Sequence, residues 1–174
     1  MHEEESAEAA AKLVERSCLT LDVESDGLHL HSDNGGPMKG ATMLATLQRL
    51  GVVASFSRPR VSDDNPYSEA LFRTLKYRPG FPNRAFRDID KAREWVGHFV
   101  RWYNTQHLHS ALNFVTPGDR YHGRDKAILA ARHRVYQRAR ERNPQRWSGD
   151  TRDWSPAQLV VLNPHQVIDS SAAA

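Results

Sequence analysis

The 174-residue chain reads as an α/β protein with a helical, basic carboxyl-terminal extension, and three features point there. A strand–helix–strand succession fills residues 28–56, the order that produces a parallel crossover in an α/β layer. A broad apolar stripe recurs at helical spacing over 88–104. The segment 124–142 is helical in pattern and carries seven Arg/Lys against Asp125 and Glu141. With 39% hydrophobic and 26% charged residues the composition is that of an ordinary globular protein.

Taken in order, residues 3–18 form an expected helix: Ala7, Ala10, Leu13, Val14 and Cys18 recur at helical spacing, and glutamates load the first turn, where the helix dipole favours them. Leu28-His29-Leu30-His31 alternates as a short strand and runs into the turn-forming Ser32-Asp33-Asn34-Gly35-Gly36, which puts Asp33 at a strand's carboxyl end. A helix from Thr42 to Leu50 follows, with Met43, Leu44, Leu47 and Leu50 inward and Gly51 closing it. Val52 to Phe56 is the next strand, and residues 57–64 are a loop. Asn65-Pro66 opens another helix, Asn65 suited to cap and Pro66 to the first turn, and Pro79 ends it. In the helix over 88–104, Ile89, Ala92, Trp95, Val96, Phe99, Val100 and Tyr103 form the apolar stripe. Thr116-Pro117-Gly118-Asp119 restarts a helix after a loop. Along 124–142 the residues Ile128, Ala131, Val135 and Ala139 suggest a packed side. Gln158 to Leu162 reads as a further strand, followed by a frayed tail to Ala174.

No apolar run approaches the roughly 20 residues a membrane helix needs, and the acidic start Met1-His2-Glu3-Glu4-Glu5 is unlike a secretory signal. Cys18 is the single cysteine, so neither an internal disulfide nor a cysteine-based zinc site is expected, and the cytoplasm is the expected location. The net charge of +3 conceals an asymmetry: residues 1–55 hold four Lys/Arg against nine Asp/Glu, whereas 56–174 hold twenty against twelve. A basic second half fits a polyanionic partner.

Two carboxylates stand out by position. Asp33 ends a strand and Glu69 lies in the first turn of a helix, with 35 residues between them. Hard oxygen ligands that converge on divalent cations are what metal-assisted phosphoryl chemistry requires. On those two residues alone, an Asx-turn at Asp33 and a solvated Glu69 are the simpler account. Their surroundings change the balance. His31-Ser32-Asp33-Asn34-Gly35, Ser57-Arg58-Pro59 and the run from Ser62 to Tyr77 resemble the catalytic core of bacterial insertion-sequence transposases of the DDE group, a domain related to retroviral integrase. Trp102-Tyr103-Asn104, His107, His109-Ser110-Ala111-Leu112 and Thr116-Pro117 are similar to that family's downstream segment, so the resemblance spans about residue 2 to residue 164.

The resemblance implies an RNase H-like fold, a three-carboxylate site on two Mg2+ or Mn2+ ions, and DNA transposition by strand cleavage and strand transfer. Asp33 corresponds to the second acid and Glu69 to the third. The family's first aspartate lies on a strand before the helix placed at 3–18, and no residue here matches it; Asp22 and Asp26 follow that helix. The expectation is therefore an incomplete core over 1–120 with a basic extension over 121–174, catalytically inactive alone and exposing apolar sheet surface. Transposon ends and target DNA are the expected partners, together with self-association or pairing with a full-length transposase. Arg73 and Lys76, at i+4 and i+7 from Glu69, are candidate DNA contacts, or, for Arg73, an intrahelical partner of Glu69. His107 and His109 read as packing or DNA-contacting residues rather than metal ligands. A non-catalytic DNA-binding or transposase-interacting remnant is the alternative, and an RNase H-type nuclease a weaker third reading.

Overall fold

A computed structural model describes residues 4–22, 27–59, 61, 64–78 and 80–158. The described residues up to Ile89 make one compact unit and those from Asp90 onward a second. The chain is mixed α/β, mostly helical.

In the first unit, helix α1 spans Ala7–Leu21. It starts four residues later than the charge pattern predicts because Ser6 caps it, the hydroxyl accepting from the Ala9 amide at 3.1 Å. Strand β1 is His29–Ser32 and strand β2 is Val53–Phe56. Between them lie a one-turn helix α2 (Gly36–Lys39), which the sequence reading left within a turn, and helix α3 (Ala41–Arg49). Gly40 separates the two with an extended backbone. Gly51 then turns the chain at φ +71, a left-handed conformation that costs glycine nothing, and leads into β2. The strands pair in parallel, His29 to Val53 through Ser32 to Phe56, as the strand–helix–strand order predicts.

Packing is one-sided. Ala11 of α1, Met43 and Leu47 of α3, and Val52 form the buried cluster, with Ala7, Val14, Cys18, Leu30 and Ala54 packed against it. Cys18 thus serves as a small apolar residue. Leu44, expected inside, is 38% exposed, because α3 buries only the Met43/Leu47 line. Val53 on the sheet and Leu13, Leu19 and Leu21 on α1 are also exposed. Helix α4, Pro66–Tyr77, completes the unit and buries none of its side chains fully. Asn65 holds its N-cap position without a side-chain hydrogen bond, so its predicted capping role falls to backbone alone.

The second unit contains α5 (Ile89–Thr105), a 3-10 turn (Ser110–Leu112), α6 (Pro117–Tyr121), α7 (Asp125–Arg142) and a closing 3-10 turn (Pro144–Arg146). Ala92 and Phe99 are the buried centre of the α5 stripe; Val100 remains 46% exposed. Phe99 stacks with Trp95 and Tyr103, and His107 packs on Trp102 and Tyr103 at 5.0 and 5.2 Å between centroids. Thr116 caps α6, the helix expected to restart at this point, its hydroxyl accepting from the Asp119 amide. A small core forms from Val115, Leu129 and Trp154. The inward side of α7 is only partly the predicted one: Ile128 packs against this core and Asp125 and Leu129 are buried, whereas Val135 is 62% exposed and Ala131 and Ala139 are also outside. The expected strand from Gln158 to Leu162 and the tail lie outside the described residues apart from Gln158, which has no regular structure. Among the described residues no helix is long and apolar enough to cross a membrane.

Candidate active site

Parallel pairing brings the carboxyl ends of β1 and β2 side by side, and the segments leaving them are tied together. Ser57 donates its amide to the Ser32 carbonyl at 3.0 Å, and Asn34 donates its side-chain amide to the Ser57 carbonyl at 2.8 Å. Asp33 follows β1 directly. One of its carboxylate oxygens, Oδ1, accepts from the Gly35 amide at 3.0 Å, an Asx-turn that orients the group and leaves Oδ2 without a hydrogen bond among the described residues. Both the simple turn role and an exposed carboxylate are thus present in one residue.

Asp64 secures the loop beyond β2. It is 2% exposed and binds Arg58 three times: from the Arg58 backbone amide at 2.7 Å, from Nε at 3.0 Å and from a terminal guanidinium nitrogen at 2.8 Å. These hydrogen bonds from Arg58 hold the Asp64 carboxyl down to about 2 from its ordinary 3.8, against the opposing effect of burial. The Asp64 carbonyl meets His31 Nε2 at 3.0 Å, and His31 Nδ1 meets the Ser55 hydroxyl at 2.9 Å. A carbonyl oxygen only accepts, so Nε2 carries a proton; in the neutral ring Nδ1 then accepts from Ser55. His31 is therefore a rivet between the two strands and the loop, and Asp64 shapes the turn before Asn65.

That rivet aims α4. Asn65 begins it, the Glu69 amide donating to the Asn65 carbonyl at 3.3 Å, so Glu69 emerges from the first turn. Asp33 and Glu69 both line one hollow of about 350 Å3, its other walls being Asn34, Ser57, Arg58, Val61 and Asn65. Glu69 makes no ion pair with Arg73 among the described residues. Arg73 and Lys76 are exposed and share the Glu69 stripe of α4, but neither lines the hollow. Arg58, Asn34 and Asn65 were not singled out for the site from sequence. Their signal was present: Ser57-Arg58 leaves β2 where Asp33 leaves β1.

The donor set suits a hard divalent cation, since carboxylate and amide oxygens are the ligands such ions take. Among the described residues, no cluster of three or more His, Cys, Asp or Glu side chains is arranged to hold a metal ion. His107 and His109 pack with Tyr103 instead. Burial and the neighbouring His109 lower the pKa of His107 below its ordinary 6.5.

Residues 50–117 match the family model of the integrase core domain. The match takes in Glu69, Arg73 and Lys76 and begins after Asp33. Over 94 residues the chain is 30% identical to the transposase for insertion sequence element IS904 of Lactococcus lactis, covering 53% of this chain and 37% of that protein. The chain thus spans little more than a third of the length of this relative.

Proposed function

We propose a role in DNA transposition, starting from the premise that the chain is related to insertion-sequence transposases and contains an integrase core segment. In this reading residues 1–120 supply part of an RNase H-like catalytic core and 121–174 a basic extension. The observation that carries it is the meeting of Asp33 and Glu69 at one hollow beside the carboxyl ends of two parallel strands. Such a place lets rigid elements, rather than a wandering loop, fix the ligands of a phosphoryl-transfer site.

Asp33 and Glu69 would hold Mg2+ or Mn2+, Asp33 through the oxygen its turn leaves without a hydrogen bond among the described residues. A bound divalent ion stabilises charge on the attacking and departing oxygens of an in-line displacement. Gly35 keeps Asp33 oriented, and the Asp64–Arg58 pair keeps the start of α4 in place. Arg73 and Lys76, following Glu69 along the helix, would receive the phosphates of a transposon end or target duplex. The second reading, a non-catalytic DNA-binding or transposase-interacting protein, is favoured by the absence, among the described residues, of a cluster of three or more side chains arranged to hold a metal ion.

Mn2+ titration followed by paramagnetic line broadening tests the metal assignment. Broadening centred on residues 33–35 and 65–69 is expected, and Asp33→Asn or Glu69→Gln should weaken it about tenfold or more. Broadening that neither substitution alters would reject these ligands. DNA affinity indifferent to Asp33→Asn, without metal binding, would establish the second reading.

A further inference from the structure

The arginines of α7 divide into two sets. Arg132 donates to the carbonyls of Asn113 and Phe114 at 2.7 and 2.9 Å and lies over the Trp154 ring. Arg140 pairs with Asp150 at 2.8 Å. These two belong to the inward side and build the unit. Arg134, Arg138 and Arg142 do not: all three are exposed and have no ion pair or side-chain hydrogen bond among the described residues.

Their spacing is i, i+4, i+8, so they form one stripe, rising about 6 Å per step and about 12 Å in all. Ala131 and the 62% exposed Val135 lie beside it, and Glu141 sits at its edge. Three like charges held along about 12 Å repel one another, and with no anionic partner among the described residues this arrangement gains nothing for folding except Arg142 near the dipole's negative end. A row of phosphates relieves that repulsion. Single-stranded acid clusters or acidic side chains would match the charge, but the regular rise along one straight rod matches the backbone of a duplex, where each strand offers a phosphate every few ångströms.

We infer that Arg134, Arg138 and Arg142 form a binding surface for the phosphate backbone of double-stranded DNA, read without regard to base sequence. It deepens the proposed function by adding a DNA surface on the second unit, and it does not depend on the carboxylate pair.

The test is fluorescence anisotropy of the whole chain with a labelled duplex of arbitrary sequence, across a salt series. The triple variant Arg134→Gln/Arg138→Gln/Arg142→Gln is compared with Arg73→Gln/Lys76→Gln, each checked for unchanged circular dichroism. The triple variant should bind at least about tenfold more weakly, and its log–log salt slope should shrink by about 2.7, near 0.9 per lost phosphate contact. Loss confined to the Arg73/Lys76 variant would overturn the stripe while sustaining the proposed site. Loss confined to the triple variant would sustain the stripe and remove Arg73 and Lys76 from the DNA surface. An unaltered affinity and slope in the triple variant would show a merely solvated face.

Discussion

Asp64 carries more of the first unit's local order than either proposed ligand. Its carboxyl pKa lies at about 2, against 3.8 in an unfolded chain, so the proton is bound more readily unfolded than folded. The stabilisation is therefore full above about pH 4 and is lost as pH falls toward 2. Urea midpoints of the native chain and Asp64→Asn should differ at neutral pH and converge over that window; a constant gap would place the effect elsewhere. His107 works with the same sign at milder pH. Burial and His109 depress its pKa below 6.5, so its neutral form stabilises the fold above that value and protonation weakens it below. Fluorescence of the adjoining Trp102, followed on acidification through pH 6, should report this loosening, and His107→Phe should remove it. Met43 is fully buried, and Met43→Ala should cost about 2–5 kcal/mol in chemical denaturation.

Short helices here depend on their ends. In α6, five residues long, the Thr116 hydroxyl accepts from the Asp119 amide at 3.1 Å and donates to its carboxylate at 2.7 Å, while Arg124 holds the other carboxylate oxygen at 2.9 Å. Thr116→Ala should destabilise the second unit by about 0.5–2 kcal/mol. Gly118 in the same helix stands where a Cβ would come within 2.6 Å of the Asn104 carbonyl oxygen, a backbone atom that cannot swing aside. Gly118→Ala should lower the melting temperature further than Gly123→Ala, despite the positive φ of Gly123, where an added Cβ meets nothing within 4 Å. The periodicity of α5, the Gly51 turn and the helix restart at Thr116 were all legible in sequence, because each is decided within a few residues. The inner side of α7 was legible only in part. Alanine and valine at helical spacing suggested the packed face, but Asp125, neutralised by Arg120 at 2.7 Å, and Leu129 occupy it, leaving Val135 outside. An ion pair across the short turn from α6 to α7 helped choose the face, and the periodicity of α7 does not announce it.

At the scale of the whole chain, the first unit buries one side of a two-stranded parallel sheet and leaves Val53, Tyr67 and Phe72 substantially exposed. Apolar groups so placed favour association. Analytical ultracentrifugation should show self-association that weakens in Phe72→Ser; a strictly monomeric native chain would contradict this.

Residue order determined the α/β succession, the parallel pair and the positions of Asp33 at a strand exit and Glu69 in a first helical turn. Local propensities and the short crossover sufficed for that. The resemblance added the chemistry that such a pair serves. Only the tertiary structure decided that the two acids share a hollow, because their meeting depends on strand register and on the Arg58–Asp64–His31 linkage across the loop. It also decided which arginines of α7 are spent on folding and which remain outward. Both outcomes rest on contacts between residues far apart in sequence, which spacing along one element does not encode.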